Sequence, residues 1–412
     1  MKYFSVGVRE WRLAAMGIVL AGCSFDTTNL LLDDDGAATQ PDADRFAPDA
    51  DPIAIDAAVV PDAVPGTPDA TPCSFDQDIC DTGEPDGPLA INADTVFDTD
   101  TDPLCRTLAQ VNGPDVCLVV LDGFTLNTGA NFIAIGSRPL VIASVGDINI
   151  NSLIYVSSRI GGPTGAGANF EDCAVATSPQ GDAGGSGGGA GGSFAGAGGD
   201  GGTGDDDTSS GNDDEGDGGT AVLAVSQPAV LRGGCPGGAG AVRNNNPLTA
   251  PGNGGGALFL VTPADINLNA TSAIVANGAG GSGGDGGDHA GGGGAGSGGH
   301  IILEAANINL GGNISANGGG GGEGGTRFSG GNDLDGDDGA DGALSSTAAN
   351  GGAGSTFGGN GGDGSSQLNL GGENGNDSDA AGGGGGGGAG FIIFRGAVQG
   401  AGGATSPLFI QE

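Results

Sequence analysis

Lysine is nearly missing from this chain. Lys2 is the only one, and with arginine the cations number 11 against 50 acidic residues, for a formal net charge of −39. Such a surface repels phosphate backbones and anionic lipid headgroups, which excludes nucleic acid and polybasic membrane docking and leaves divalent cations or basic partners as its natural counterparts. Aromatic residues make up 4% of the chain and tryptophan occurs once, so large side chains cannot build an ordinary core throughout. Histidine is confined to His289 and His300, and no two of the seven cysteines have the close spacing of a zinc knuckle, so structural zinc is not expected. The most apolar N-terminal stretch, Leu13 to Ala21, falls far short of the roughly 20 residues that span a bilayer as a helix.

That stretch has another reading. Lys2, Arg9 and Arg12 precede it as a positive region, and it ends in Leu20, Ala21, Gly22 and Cys23. The tetrad resembles the lipobox of bacterial lipoproteins. The resemblance implies a signal peptide over 1–22, diacylation of Cys23 on sulfur and an N-terminal lipid seated in a membrane. Ser24, in place of the aspartate that would retain such a protein at the inner membrane, implies transport to the outer membrane. Six cysteines then remain, Cys73, Cys80, Cys105, Cys117, Cys173 and Cys235. An even number in an exported protein reads as a disulfide set, and the expected pairing joins nearest neighbours in sequence.

Residues 23–72 alternate aspartate, alanine and proline, as in Pro41, Asp42, Ala43, Asp44. Proline breaks helices and the carboxylates repel one another, so this segment reads as a disordered acidic tether. Residues 73–115 follow as a cysteine-bearing N-terminal cap without clear periodicity. From 116 to 412 an internal repeat emerges: Asp147, Ile148, Asn149, Ile150; Asp265, Ile266, Asn267, Leu268; Asn307, Ile308, Asn309, Leu310. An apolar run precedes each copy, at Leu140 to Ala143, Ala257 to Val261 and Ile301 to Leu303. Earlier, Phe124, Leu126 and Phe132 align with Ile266, Leu268 and Ile274, and a degraded copy closes the chain at Phe391 to Phe394. Short β-type runs recurring in this way predict an all-β fold of parallel β-helix or β-solenoid type, with a β-sandwich of antiparallel strands as the alternative.

Glycine fills the spaces between the repeats, with 82 of its 94 occurrences after residue 160. The glycine-rich segments, 159–256, 279–299 and 319–390, all leave just after the third run of a unit, so they should project from one face. The first is broken by a strand-like run from Ala221 to Leu231. Wording with a period of three, as from Gly280 to Asp288, suits polyglycine-II-like strands with three residues per turn; disorder is the competing reading. Some phage tail adhesins are similar in composition.

Chemical motifs are sparse. Asp98, Asp100 and Asp102 begin like an EF-hand loop, but Pro103 stands where glycine is needed and Ala109 where the bidentate glutamate belongs. The glycine-aspartate words that end in Asp206, Asp288 and Asp363 match the opening of calcium-binding β-roll repeats, yet none is tandem. Calcium is therefore the cofactor to weigh, with these six aspartates as its candidates. The strings around Ser186 and Ser282 spell a nucleophile elbow without the strand and helix it requires. Asp337 and Asp338 are the only pair that resembles the carboxylates of a polysaccharide-cleaving β-helix, and no basic motif accompanies them. His289 and His300 read as incidental.

The lipobox, acidic tether, cysteine segment and interrupted repeats together resemble a group of glycine-rich lipoproteins of Gram-negative bacteria, which has no established activity to carry over. The expectation is a non-enzymatic, surface-exposed protein anchored in the outer membrane by its lipid. It would serve adhesion or build the envelope or matrix, with an envelope or extracellular polysaccharide or a protein as partner. A carbohydrate-binding or carbohydrate-cleaving β-helix and a calcium-dependent acidic matrix protein are the alternatives.

Overall fold

Two kinds of apolar run make the scaffold, and the difference between them sets its layers. A computed structural model describes residues 84–205, 215–243, 248–327, 333–354, 357–400 and 402–412, all within one unit, Pro68–Glu412. The segments expected to be a signal peptide (1–22) and a tether (23–72), together with Cys23, Cys73, Cys80 and Asp206, lie outside the described residues.

The chain begins with β1 (Pro88–Ile91), β2 (Thr95–Asp98) and β3 (Arg106–Leu108). Two closely spaced units follow: β4 (Val116–Leu121), β5 (Gly123–Leu126) and β6 (Phe132–Ile135), then β7 (Leu140–Ser144), β8 (Ile148–Ile150) and β9 (Leu153–Tyr155). After the first glycine segment come β10 (Ala257–Val261), β11 (Asp265–Leu268) and β12 (Ala273–Val275). After the second come β13 (His300–Leu310) and β14 (Asn313–Ser315), and after the third β15 (Phe391–Gln399), β16 (Thr405–Ser406) and β17 (Ile410–Gln411). Among the described residues the fold is all-β, with every regular element a strand.

Equivalent strands of successive units stack in parallel, forming three rows. The first runs β4, β7, β10, the start of β13 and the start of β15. The second runs β1, β5, β8, β11, the end of β13 and the end of β15. A separate sheet holds the third: β2, β6, β9, β12, β14 and β16. Only β3 with β4 is antiparallel among the paired strands, so the pairing is not that of an antiparallel sandwich.

First-row strands are unbroken apolar words, such as VCLVVL and ALFLV, because both their faces are buried. Val119, Leu258 and Ile301 point into the main core, while Val141, Phe259 and Ile302 pack with Leu231 in a second cluster on the other side. Second-row strands alternate instead: in DINL, Ile266 and Leu268 are buried and Asp265 and Asn267 are half-exposed. Their outer face carries a side-chain ladder. Asn309 Nδ2 donates to Asn267 Oδ1 (2.7 Å), and Asn267 Nδ2 donates to Asn149 Oδ1 (3.0 Å). Asn307 donates in the same way to Asp265 (2.7 Å).

Within the cysteine-bearing segment, β1 and β2 extend the second and third rows in full register with β5 and β6. One expectation needs correction. The run from Ala221 to Leu231 is no strand: Pro228 lacks a donor, Leu223 is 86% exposed, and only Leu231 is buried, against the first row.

The glycine segments leave the stack after β9, β12 and β14 and return at β10, β13 and β15, one corner for all three. They bond to one another at every third residue. Gly278, Gly281 and Gly284 donate to the carbonyls of Asn317, Gly320 and Glu323, and Gly189 and Gly192 donate to Gly292 and Ala295. Gly292, Ala295 and Gly298 donate onward to Gly382, Gly385 and Gly388. A β-carbon at Gly292 would overlap the carbonyl oxygen of Gly322, so the approach of neighbouring main chains requires glycine there.

Candidate functional site

The glycine body beside the stack is the candidate site, and its aspartates serve it in a way the sequence did not announce. Asp335 Oδ1 accepts the N–H of Gly286 (3.0 Å), Asp338 Oδ1 that of Gly283 (2.8 Å), and Asp341 Oδ1 that of Gly280 (3.1 Å). One series climbs by three while the other descends by three, so the carboxylates form an antiparallel ladder along the neighbouring segment. Asn374 and Asp377 do the same for the N–H groups of Asp200 (2.9 Å) and Thr203 (2.7 Å), in a parallel sense. The signal was the three-residue spacing of aspartate opposite a glycine run of the same period.

This ladder gives several of the motif residues structural work. Asp338 is a structural acceptor, and Asp337 donates its own N–H to Oε2 of the fully buried Glu323 (3.0 Å), which also accepts from Gly354 (2.8 Å). Asp363 Oδ1 accepts from Gly351 (2.8 Å), and the N–H of Asp288 donates to Asp285 (3.2 Å). Ser186 is fully buried, with Oγ near the main chain of Asp182. The Ser282 main chain joins the glycine bonding, its carbonyl accepting from Gly293.

Asp98, Asp100 and Asp102 sit at the end of β2. Asp98 accepts from Asp100 N and Thr101 Oγ1, both at 2.9 Å, and Asp102 from Leu104 N (2.9 Å). Asp100 accepts from Ser137 N (2.8 Å) and Oγ (2.7 Å) and faces Arg138 at 3.5 Å. Burial alone would raise its pKa, but the Ser137 hydrogen bonds and Arg138 together bring it below the ordinary carboxylate value. Among the described residues, no group of three or more His, Cys, Asp or Glu side chains is placed to hold a metal.

Disulfides join Cys105 to Cys117 and Cys173 to Cys235, with Cα atoms 4.9 and 5.5 Å apart. The second closes the first glycine segment against Arg232, whose guanidinium lies 3.6 Å from each sulfur and 4.7 Å over the Phe194 ring. Burial pushes the pKa of Arg232 down, with Asp172 pulling it partly back. A groove of about 330 Å³ runs beside this bridge, lined by Val175, Val222 and Leu248.

His300 opens β13 in a ring cage with Phe194 (6.1 Å) and Phe391 (5.7 Å) and is 1% exposed. Burial, reinforced by the nearby Arg232 and Arg395 charges, brings its pKa down to about 3, so the ring is neutral. His289 lies at a turn within the second glycine segment, its Nδ1 against the Gly184 carbonyl.

No known family model matches the chain, and neither a curated protein nor a solved structure is similar to it.

Proposed function

We propose that this chain is a non-enzymatic lipoprotein displayed on the outer membrane, in which a β-solenoid holds a body of glycine strands out for adhesion or for building the envelope matrix. Cys23 carries the lipid in this reading, and residues 23–72 space the folded part from the membrane. The observation that carries it is the common corner: three long glycine segments leave and re-enter the stack at the same place and bond to one another at every third residue. A threefold period in the bonding supports left-handed strands of the polyglycine II kind, with three residues per turn. Such strands need no large side chains, which reconciles an ordered body with an aromatic content of 4%. In-register parallel stacking of three rows supports the solenoid.

Treating intact cells with protease tests the display. The folded part should be lost from cells without lysis, and a palmitate analogue should label the wild type but not Cys23→Ala. Protection of the chain on intact cells would sink the surface claim, and undiminished labelling of Cys23→Ala would sink the anchor.

A further inference from the structure

Where the third row ends, β14 and β16 border a cavity of about 150 Å³ whose wall chemistry is distinctive. The strand period creates it. Ile314 points into the main core, so its neighbour Ser315 points the other way, toward the third glycine segment at 344–346 and 367. Ser315 is 1% exposed, and its Oγ finds no hydrogen-bond partner among the described residues. A buried hydroxyl without a partner has given up its hydrogen bonds to water for nothing in return, so it marks a place where a ligand's hydroxyl has something to gain. Beside it in register is Ser406, 4% exposed, whose Oγ donates to Asn317 Oδ1 (2.8 Å). Gln367 lies across the opening, its Nε2 donating to the Thr405 carbonyl (2.8 Å), which leaves the amide oxygen as an acceptor. Ser346 and Leu344 form the rim, the latter 39% exposed.

Every lining residue is uncharged, and hydroxyl and amide groups stand beside the apolar side chains of Leu344 and Ala404. That pairing suits a ligand with hydroxyls around its edge and C–H groups on its face. A cavity of about 150 Å³ is the size that holds one benzene ring, so this one takes a single six-membered ring, with its substituents at the open rim. An anionic sugar is disfavoured twice: no cation lines the wall, and the chain carries a net charge of −39.

We propose that this cavity binds one neutral hexopyranose residue of a surface or extracellular polysaccharide, with Ser315 Oγ as the buried hydrogen-bonding group and Leu344 against the sugar's apolar face. This assignment rests on the display reading and names what the displayed body meets. It is tested on purified protein, so its failure leaves the protease and labelling results on cells to judge display separately.

The probes are methyl glycosides of glucose, galactose and mannose, with glucuronate as the charged comparison, read by saturation-transfer NMR and calorimetry on the full mature chain. At least one neutral glycoside should bind with a dissociation constant on the order of 1 mM, as expected for about a dozen heavy atoms, and glucuronate at least tenfold more weakly. Ser315→Val should weaken that binding about tenfold or more. Ser346→Trp should abolish it from the rim, at an exposed position that leaves the buried strands untouched. The absence of binding by all three neutral glycosides at 20-fold that concentration overturns the proposal, as does equal binding of glucuronate or unchanged affinity in a folded Ser346→Trp protein.

Discussion

His300 shows how a single side chain can report on the packing around it. The ring sits in a cage made by Phe194 and Phe391, with its pKa brought to about 3 chiefly by burial. In the unfolded chain the same ring takes a proton near pH 6.5. Between these values the unfolded state binds one more proton than the native state, so stability is full above pH 6.5 and falls as the pH drops. The slope is about 1.4 kcal/mol per pH unit, and the loss between pH 6.5 and 5 is about 2 kcal/mol, a window mostly above the range where carboxylates titrate. Urea unfolding at half-unit steps should show this slope in the wild type and lose it in His300→Leu. An equally steep wild type and variant would mean that the ring is protonated in place or exposed. Sequence alone could not show the cage, because Phe194 and Phe391 approach His300 from distant segments.

At the scale of elements, what was legible in the sequence is what needed identical residues in every unit. Asn149, Asn267 and Asn309 repeat because each amide bonds to its equivalent above or below, a demand that writes the same letter at every level. The first row was legible as apolar runs because both faces are buried. By contrast, β1 and β2 carry little signal: PLAI and TVFD are four residues each and contain no asparagine word. Ala221 to Leu231 misleads because its valines and leucines mimic a strand, although Pro228 interrupts its donors and the Val225 N–H is spent on the Phe194 carbonyl. Glycine composition did not decide between order and disorder, since the deciding quantity is the distance between main chains. Gly292 is hemmed in by the Gly322 carbonyl, whereas the nearest atom to a β-carbon at Gly371 is 3.6 Å away. Gly292→Ala should therefore lower stability by about 1–3 kcal/mol, as overpacking does. Gly371→Ala should change it by less than about 0.5 kcal/mol. Paired denaturant midpoints check this, and equal effects at the two positions would remove the close-packed reading of the glycine body.

For the whole molecule, the question is what keeps long glycine segments attached to a scaffold that they leave and re-enter at one corner. Hydrogen bonds between segments hold the body together, but each is exchanged for bonds to water on unfolding and contributes only about 1 kcal/mol net. The Cys173–Cys235 bridge acts differently, by limiting the unfolded chain. It closes a loop with a sequence separation of 62, against 12 for Cys105–Cys117. On the chain-entropy model the longer loop is worth about 4 kcal/mol and the shorter about 3. The longer one also fixes Arg232, which stacks on Phe194 and thereby joins the glycine body to the His300 cage at the start of β13. Replacing both Cys173 and Cys235 by alanine should therefore cost more than the entropy difference alone predicts, and should also make the His300 cage accessible. Comparing the two double alanine variants by calorimetry, with hydrogen exchange at 300–304 as the local readout, separates the effects. A loss confined to global stability, with exchange at those amides unchanged relative to the Cys105/Cys117 variant, would mean that the bridge acts on the unfolded chain alone and that the glycine body holds its place on the scaffold through its own bonding.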